Sequence, residues 1–172
     1  RGGKAIGLSG SDGGMIKAKP KAAELGYVGE ITEINVQPIL DVIEMGYIPV
    51  ISTVGFDDDG NTYNINADTV AAGIAGRLKA ESLISMTDIA GILRDKDDPT
   101  TLISKIFVED APKLMDDGII SGGMIPKVQC CVDAINLGGR KGVGIDGRIP
   151  HSIIIEVLTD EGIGTMFVKD DK

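Results

Sequence analysis

The chain has 172 residues, of which 42% are hydrophobic, and this is enough apolar material for one domain with a sizeable core. Its 26 acidic and 17 basic residues give a net charge of -9, which makes a nucleic-acid backbone an unfavourable partner. Only two cysteines occur, side by side, which argues against a disulfide framework or a zinc site, and no apolar run is long enough to span a membrane. We therefore predict a single domain over residues 1–172 in a reducing compartment, with neither nucleic acid nor a membrane as a partner.

Apolar runs and amphipathic stretches alternate along the chain, with glycine-rich and acidic turns between them. In chain order we predict strands at 4–8 and 15–19, a helix at 37–45, a buried strand at 47–54, a helix from 67, a strand at 82–87, helices at 108–117 and from 126, a strand at 143–146, a helix at 150–158 and a strand at 165–168. Strands that alternate with helices indicate an α/β fold, a three-layer αβα sandwich with a mainly parallel sheet.

Three polar segments occur at places where an α/β sheet binds ligands, beyond the carboxyl ends of its strands. They are NINAD at residues 64–68, TDIAGIL at 87–93 and ISGGMIPK at 120–127. Because the carboxyl ends of parallel strands meet at one edge of a sheet, we predict that the three segments converge on one crevice.

Lys127 is a candidate for direct chemistry. It lies in the first turn of a predicted helix, where the helix dipole disfavours a cation, so a negative ligand group is expected nearby. Ser121, Gly122 and Gly123 can present backbone N–H groups with little steric obstruction, and with Lys127 they make a candidate phosphate cradle. The segment is not a Walker P-loop, because GxxxxGK[ST] does not occur in the chain.

The other polar candidates each allow a structural interpretation from the residues alone. Asp68 would complement a helix dipole, while Asn64 and Asn66 would serve as turn and cap residues. Asp88 follows a strand, where it would either hydrogen-bond a ligand ribose or base or start a turn. The only histidine, His151, has no evident triad partners, so we interpret it as structural.

Taken in order, several segments resemble the N-acetylglutamate kinases of the amino-acid kinase family. They are GLSGSDGGMIKAK, GYVGEI, GYIPVISTVG, YNINADTVA, TDIAGIL, DGIISGGMIPKV, IDGRIPHSIIIE and TDEGIGTM, and together they cover nearly the whole chain. The resemblance implies an amino-acid kinase-like αβα sandwich, ATP with Mg2+ held mainly through the phosphates, and phosphorylation of the γ-carboxylate of N-acetyl-L-glutamate in arginine biosynthesis. A carboxylate nucleophile is already ionised at neutral pH, so positioning and charge neutralisation would suffice.

The resemblance also implies roles for individual residues. Lys127 would stabilise the charge on the transferring phosphoryl group, Asp68 would organise the catalytic lysines, and Asn64 would bind acetylglutamate. The nucleotide pocket would be lined by Thr87, Asp88, Gly91, Leu93, Ser121, Gly122, Gly123 and Met124.

Three departures from the family pattern affect these expectations. The family's glycine-rich phosphate loop, second catalytic lysine and remaining acetylglutamate contacts precede the matching region, so we expect a carboxyl-terminal portion that is inactive alone. Ser11 stands where many relatives have lysine in SGKDG. The segment TDEGIGTM resembles arginine-sensitive members, in which Glu156 and Gly162 would hold arginine as a feedback inhibitor, although Val143 stands where some of them have histidine.

The family further implies a homo-oligomer, a PII-type regulator as a partner, and a cytoplasmic location with the plastid as an alternative. Other family members that act on a carboxylate or phosphate, such as glutamate 5-kinase, aspartokinase and uridylate kinase, are alternatives, although YNINAD and ISGGMIPK favour acetylglutamate kinase. A noncatalytic module that binds a nucleotide or arginine is an alternative of a different class. Lys127 distinguishes the two classes, because only catalysis requires its charge at the transferring phosphoryl group.

Overall fold

Residues 2–159 and 162–170 are described by the computed structural model, and the chain divides into a first unit, Arg1–Val70, and a second unit, Ala71–Lys172. The strands are β1 (Ala5–Ser9), β2 (Ile16–Pro20), β3 (Gly29–Ile34), β4 (Ile48–Ser52), β5 (Val54–Phe56), β6 (Thr62–Asn64), β7 (Leu83–Thr87), β8 (Lys105–Phe107), β9 (Lys141–Asp146) and β10 (Gly164–Val168). The α-helices are α1 (Gln37–Glu44), α2 (Ala67–Leu78), α3 (Ala111–Asp116), α4 (Met124–Asn136) and α5 (Ser152–Leu158).

The first unit contains two small sheets. β1 and β4 form a parallel pair, and β3, β2, β5 and β6 lie in that order in the other sheet. The predicted strand at 47–54 is wrong as a single buried strand, because the chain leaves one sheet after β4 and enters the other at β5. Ile48 and Val50 in β4 are 60% and 58% exposed. An apolar run does not show where a strand changes sheets, since both parts have the same composition.

The turn between β5 and β6 is organised by Asp57. Its carboxylate accepts hydrogen bonds from the Tyr63 hydroxyl at 2.6 Å, from the Asn61 side chain and backbone at 2.9 Å each, and from the Asp59 backbone at 3.0 Å. These donors, the Tyr63 hydroxyl first and the Asn61 side chain next, stabilise the charged carboxylate and lower the pKa of Asp57 to about 2. The turn therefore fixes the start of the short strand that ends at Asn64.

The second unit contains a four-stranded sheet in the order β7, β9, β10, β8. β7 and β9 are parallel, β10 is antiparallel to β9, and β8 is parallel to β10. Helix α4 packs on β9, β7 and β10, and it buries Val128 and Ile135 in a core that also contains Ile106 and Phe167. Because β7 and β9 are parallel and in register, their last residues lie side by side at one edge of the sheet.

The predicted α/β class is confirmed. Four of the seven strand pairings within the described residues are parallel. The sequence did not predict β3, β6 or β8, of which β6 and β8 have only three residues each and so carry no periodic signal. Over residues 2–159 and 162–170, none of the helices has the length and apolar character needed to cross a bilayer.

Candidate functional site

Two threonine hydroxyls fix the loop that follows β7 in the second unit. The Thr87 hydroxyl accepts a hydrogen bond from the Ile89 N–H at 3.2 Å and donates to the Ile89 carbonyl at 2.9 Å. The Thr165 hydroxyl, in a residue that is 1% exposed, accepts from the Ile92 N–H at 2.8 Å and donates to the Ile103 carbonyl at 2.9 Å. Thr87 therefore has a structural role, since its hydroxyl holds the backbone of the loop at Ile89.

Gly91 lies at the middle of this loop in a conformation that requires glycine. Its φ is +138°, and a Cβ there would lie 2.8 Å from both the Leu102 side chain and the Thr165 hydroxyl. The close approach brings the loop against β10, and Leu93, two residues later, is half-buried. Asp88 is exposed, and its carboxylate has no hydrogen-bond donor among the described residues, so it is available to a ligand.

Leu93 and Ser121 line the same cavity, which has a volume of about 380 Å³. A second cavity of about 410 Å³ runs along β8 and α3, and the two share Arg94, Asp117 and Ile119 as lining residues. Both volumes fall in the range of small-molecule sites, roughly 300 to 1,000 Å³. The structure thus brings together the loop after β7 and the loop before α4, which the sequence predicted to share one crevice.

The loop before α4 has open space above its glycines. The Met124 and Ile125 N–H groups donate to the Ser121 and Gly122 carbonyls at 3.2 Å each, whereas the N–H groups of Gly122 and Gly123 have no acceptor among the described residues. Gly122 has φ +57°, which favours glycine, but Gly123 has φ -65°, which any residue can adopt. A Cβ on Gly123 would meet nothing within 4 Å, so the packing of the protein itself does not require glycine there.

Lys127 is the fourth residue of α4 and is half-buried. The helix begins at Met124, two residues before the predicted start at Pro126. Lys127 therefore lies at the end of the first turn, where the partial positive charge of the helix N-terminus still acts.

The remaining predicted residues of the catalytic centre belong to the first unit. Asp68 is half-buried in the first turn of α2, while Asn64 is exposed at the end of β6. The Asn64 backbone N–H donates to the Tyr27 carbonyl at 2.8 Å, and its carboxamide has no partner within the described part of the chain. Asn66 is the cap of α2, since its side-chain oxygen accepts from the Thr69 N–H at 3.1 Å, so the structural interpretation holds for Asn66.

The two predicted effector residues lie close to each other. The Glu156 carboxylate, half-buried on α5, accepts a hydrogen bond from the Ile163 N–H at 3.3 Å. Gly162 immediately precedes Ile163 and has φ +54°. This bond ties α5 to the segment that enters β10.

Ile119 and Arg94 line the cavities but were missed from the sequence. Ile119 is an apolar residue directly before ISGGMIPK, and Arg94 begins the charged run RDKDD directly after TDIAGIL, so neither gives a separate signal. Within the described residues, no group of three or more histidine, cysteine, aspartate or glutamate side chains is placed to bind a metal ion.

Comparison with known sequences shows what the chain is similar to. The model of the amino acid kinase family matches residues 1–143. The acetylglutamate kinase of Desulforamulus reducens is 53% identical over 173 residues, which cover 98% of this chain and 60% of that protein. The chain therefore spans about 60% of the length of the curated relatives that it matches.

Solved structures show the same fold. The protein smu.665 of Streptococcus mutans is 28% identical, with a TM-score of 0.80 over 98% of this chain and 62% of that chain. The N-acetylglutamate synthase of Neisseria gonorrhoeae, solved with coenzyme A and L-arginine, has a TM-score of 0.84 over 98% of this chain and 38% of that chain. At 23% identity, the latter likeness concerns the fold alone. The predicted amino-acid kinase-like fold is thus confirmed.

Proposed function

Because the chain belongs to the amino acid kinase family, we propose that it carries the nucleotide-binding part of an acetylglutamate kinase, which transfers the γ-phosphoryl group of ATP to the γ-carboxylate of N-acetyl-L-glutamate. The observation that carries the proposal is the cavity in which Leu93 and Ser121 meet, beside the open glycine pair before α4. The apolar side chains of Leu93 and Ile119 line this cavity and would pack against the adenine base of ATP.

The phosphates would bind at the start of α4. The unpaired N–H groups of Gly122 and Gly123 and the positive end of the helix dipole favour an anion there. Lys127, four residues after Gly123, would neutralise charge that builds on the transferring phosphoryl group. Mg2+, held mainly through the phosphates, would neutralise further negative charge when bound.

The acceptor side of the reaction would involve the first unit. The exposed carboxamide of Asn64 would bind the acetylglutamate, and Asp68 would organise the catalytic lysines. The acceptor carboxylate is ionised at neutral pH, so these residues need only position it and no general base is required. For the rest of the nucleotide pocket we propose that Asp88 accepts hydrogen bonds from the nucleotide, while Thr87 and Gly91 shape the loop that carries Asp88.

Regulation and assembly are separate proposals. The hydrogen bond between Glu156 and the segment at Gly162 supports an arginine site there, where the carboxylate would attract the arginine guanidinium. For the protein as a whole we propose a homo-oligomer in the cytoplasm, with a PII-type protein as a further regulator.

The test of the proposed function is a chimera, in which residues 1–172 replace the matched segment of the Desulforamulus reducens enzyme. We expect the chimera to form acyl phosphate from ATP and N-acetyl-L-glutamate, measured as the hydroxamate, and to give no product with glutamate or aspartate. A folded chimera that binds MgATP but phosphorylates no acetylglutamate would contradict the assigned acceptor. A folded chimera that binds no MgATP would contradict the nucleotide site itself.

A further inference from the structure

Asp146 and Arg148 form a two-pronged ion pair at the end of β9. Asp146 is 6% exposed, and its Oδ1 accepts from the Arg148 Nε at 2.9 Å while its Oδ2 accepts from Nη2 at 2.8 Å. The Arg148 side chain, in contrast, is 68% exposed. A buried carboxylate therefore holds an exposed guanidinium in one orientation.

The shape of the loop after β9 does not require the arginine side chain. The Asp146 Oδ1 also accepts from the Arg148 backbone N–H at 2.9 Å, and any residue other than proline at position 148 would supply that donor. The guanidinium also neutralises the buried Asp146 carboxylate, so its removal is expected to cost some stability. Two of the five guanidinium N–H groups bind Asp146. The other three have no acceptor within the described ranges, and the side chain that carries them is 68% exposed.

Arg148 lies beside the loop that carries Asp88. Thr87 and Asp146 are partners in the parallel ladder, and the Gly147 N–H donates to the Thr87 carbonyl at 2.8 Å. Asp88 directly follows Thr87, and Arg148 directly follows Gly147. The hydrogen bond with Asp146 contributes most to raising the pKa of Arg148, and the negative charge of Asp88 raises it further. The Asp88 carboxylate is therefore close enough to interact electrostatically with the guanidinium.

We propose that Arg148, held by Asp146, is a positioning residue that orients the Asp88 carboxylate toward the ribose hydroxyl groups of the bound nucleotide. The inference rests on the proposed nucleotide site in the second unit and adds a residue to it. An exposed carboxylate without hydrogen-bond donors samples several rotamers, and a fixed cation beside it favours one of them. The bound nucleotide then meets an acceptor that is already in place.

The experiment compares ATP with 2′-deoxy-ATP and 3′-deoxy-ATP, each with Mg2+, in calorimetric titrations of the 172-residue chain. We expect the unchanged chain to prefer ATP over at least one deoxy analogue by about tenfold, as the loss of a hydrogen bond to a charged group predicts. Arg148→Gln is expected to weaken the binding of ATP by a similar factor. The affinity for the weaker-binding deoxy analogue should not change, so the preference for ATP over that analogue disappears.

Arg140→Gln is the matched control. It removes the same charge just before β9, at the opposite end of the strand, where the Arg140 backbone N–H binds the Ala80 carbonyl at 3.0 Å. We expect it to leave the ATP preference unchanged. Arg148→Lys keeps the charge without the planar fork, so we expect an intermediate preference, and this variant decides the matter if Arg148→Gln does not fold by circular dichroism.

The outcomes separate the inference from the proposed function. If the Arg148 variants bind ATP and the deoxy analogues with the unchanged ratio, or lose all three equally, the positioning role is wrong while the nucleotide site stands. If the unchanged chain binds ATP but has no preference for a ribose hydroxyl, the role assigned to Arg148 is also wrong. If the unchanged, folded chain binds no ATP, the proposed nucleotide site is wrong and the inference is wrong with it.

Discussion

Lys127→Met in the chimera is expected to lower kcat for acyl phosphate formation about a thousandfold, the loss typical when one charge-stabilising group is removed from a transition state. Methionine has a similar length and no charge, so the change removes the ammonium group and leaves most of the packing of the half-buried side chain. The KM for ATP should change far less, because the charge that Lys127 meets is greatest in the transition state.

Lys169→Met is the control for this experiment, since it removes an exposed lysine beyond β10 in the same unit. We expect its turnover to equal that of the unchanged chimera. Normal turnover in Lys127→Met would remove the catalytic role and favour a noncatalytic nucleotide-binding module instead.

Gly91→Ala is expected to destabilise the second unit by about 3 kcal/mol, since it combines a strained backbone with a steric clash. Alanine rarely adopts the φ of +138°, and its methyl group would lie 2.8 Å from the Thr165 hydroxyl. That hydroxyl bonds both Ile92 and Ile103, so a shift of the loop would also break the bonds that fix it. Urea unfolding followed by circular dichroism measures the effect.

Gly118→Ala separates the two causes. Gly118 also has a positive φ, +74°, but a Cβ there would meet nothing within 4 Å, so only the backbone strain applies. We expect it to cost about 1 to 2 kcal/mol. Equal losses in the two variants would show that the close approach of Gly91 to β10 does not contribute.

Local patterns in the sequence predicted most helices and strands within a few residues. Helix α1, predicted at 37–45, is Gln37–Glu44, and the start predicted for α2 at Ala67 is the observed one. Features that depend on distant partners were not predictable in this way. The transfer of the chain between sheets after β4 is one case, because it depends on which strand each part pairs with.

The candidate site shows the same division. The glycine content and position of ISGGMIPK and TDIAGIL marked two loops that do line one cavity, through Leu93 and Ser121. Ile119 carries no such signal, since an isoleucine before a glycine loop is most often a core residue. The convergence of Asp68 and Asn64 with Lys127 remains a prediction from the sequence.

Photoaffinity labelling with 8-azido-ATP, followed by peptide mass spectrometry, tests most directly whether the cavity of the second unit binds the nucleotide base. The structure predicts that the label is found at residues 93–96 and 117–121, and that excess MgATP prevents it. Labelling that falls outside these segments, or that excess MgATP does not reduce, would contradict the assignment of this cavity as the nucleotide site.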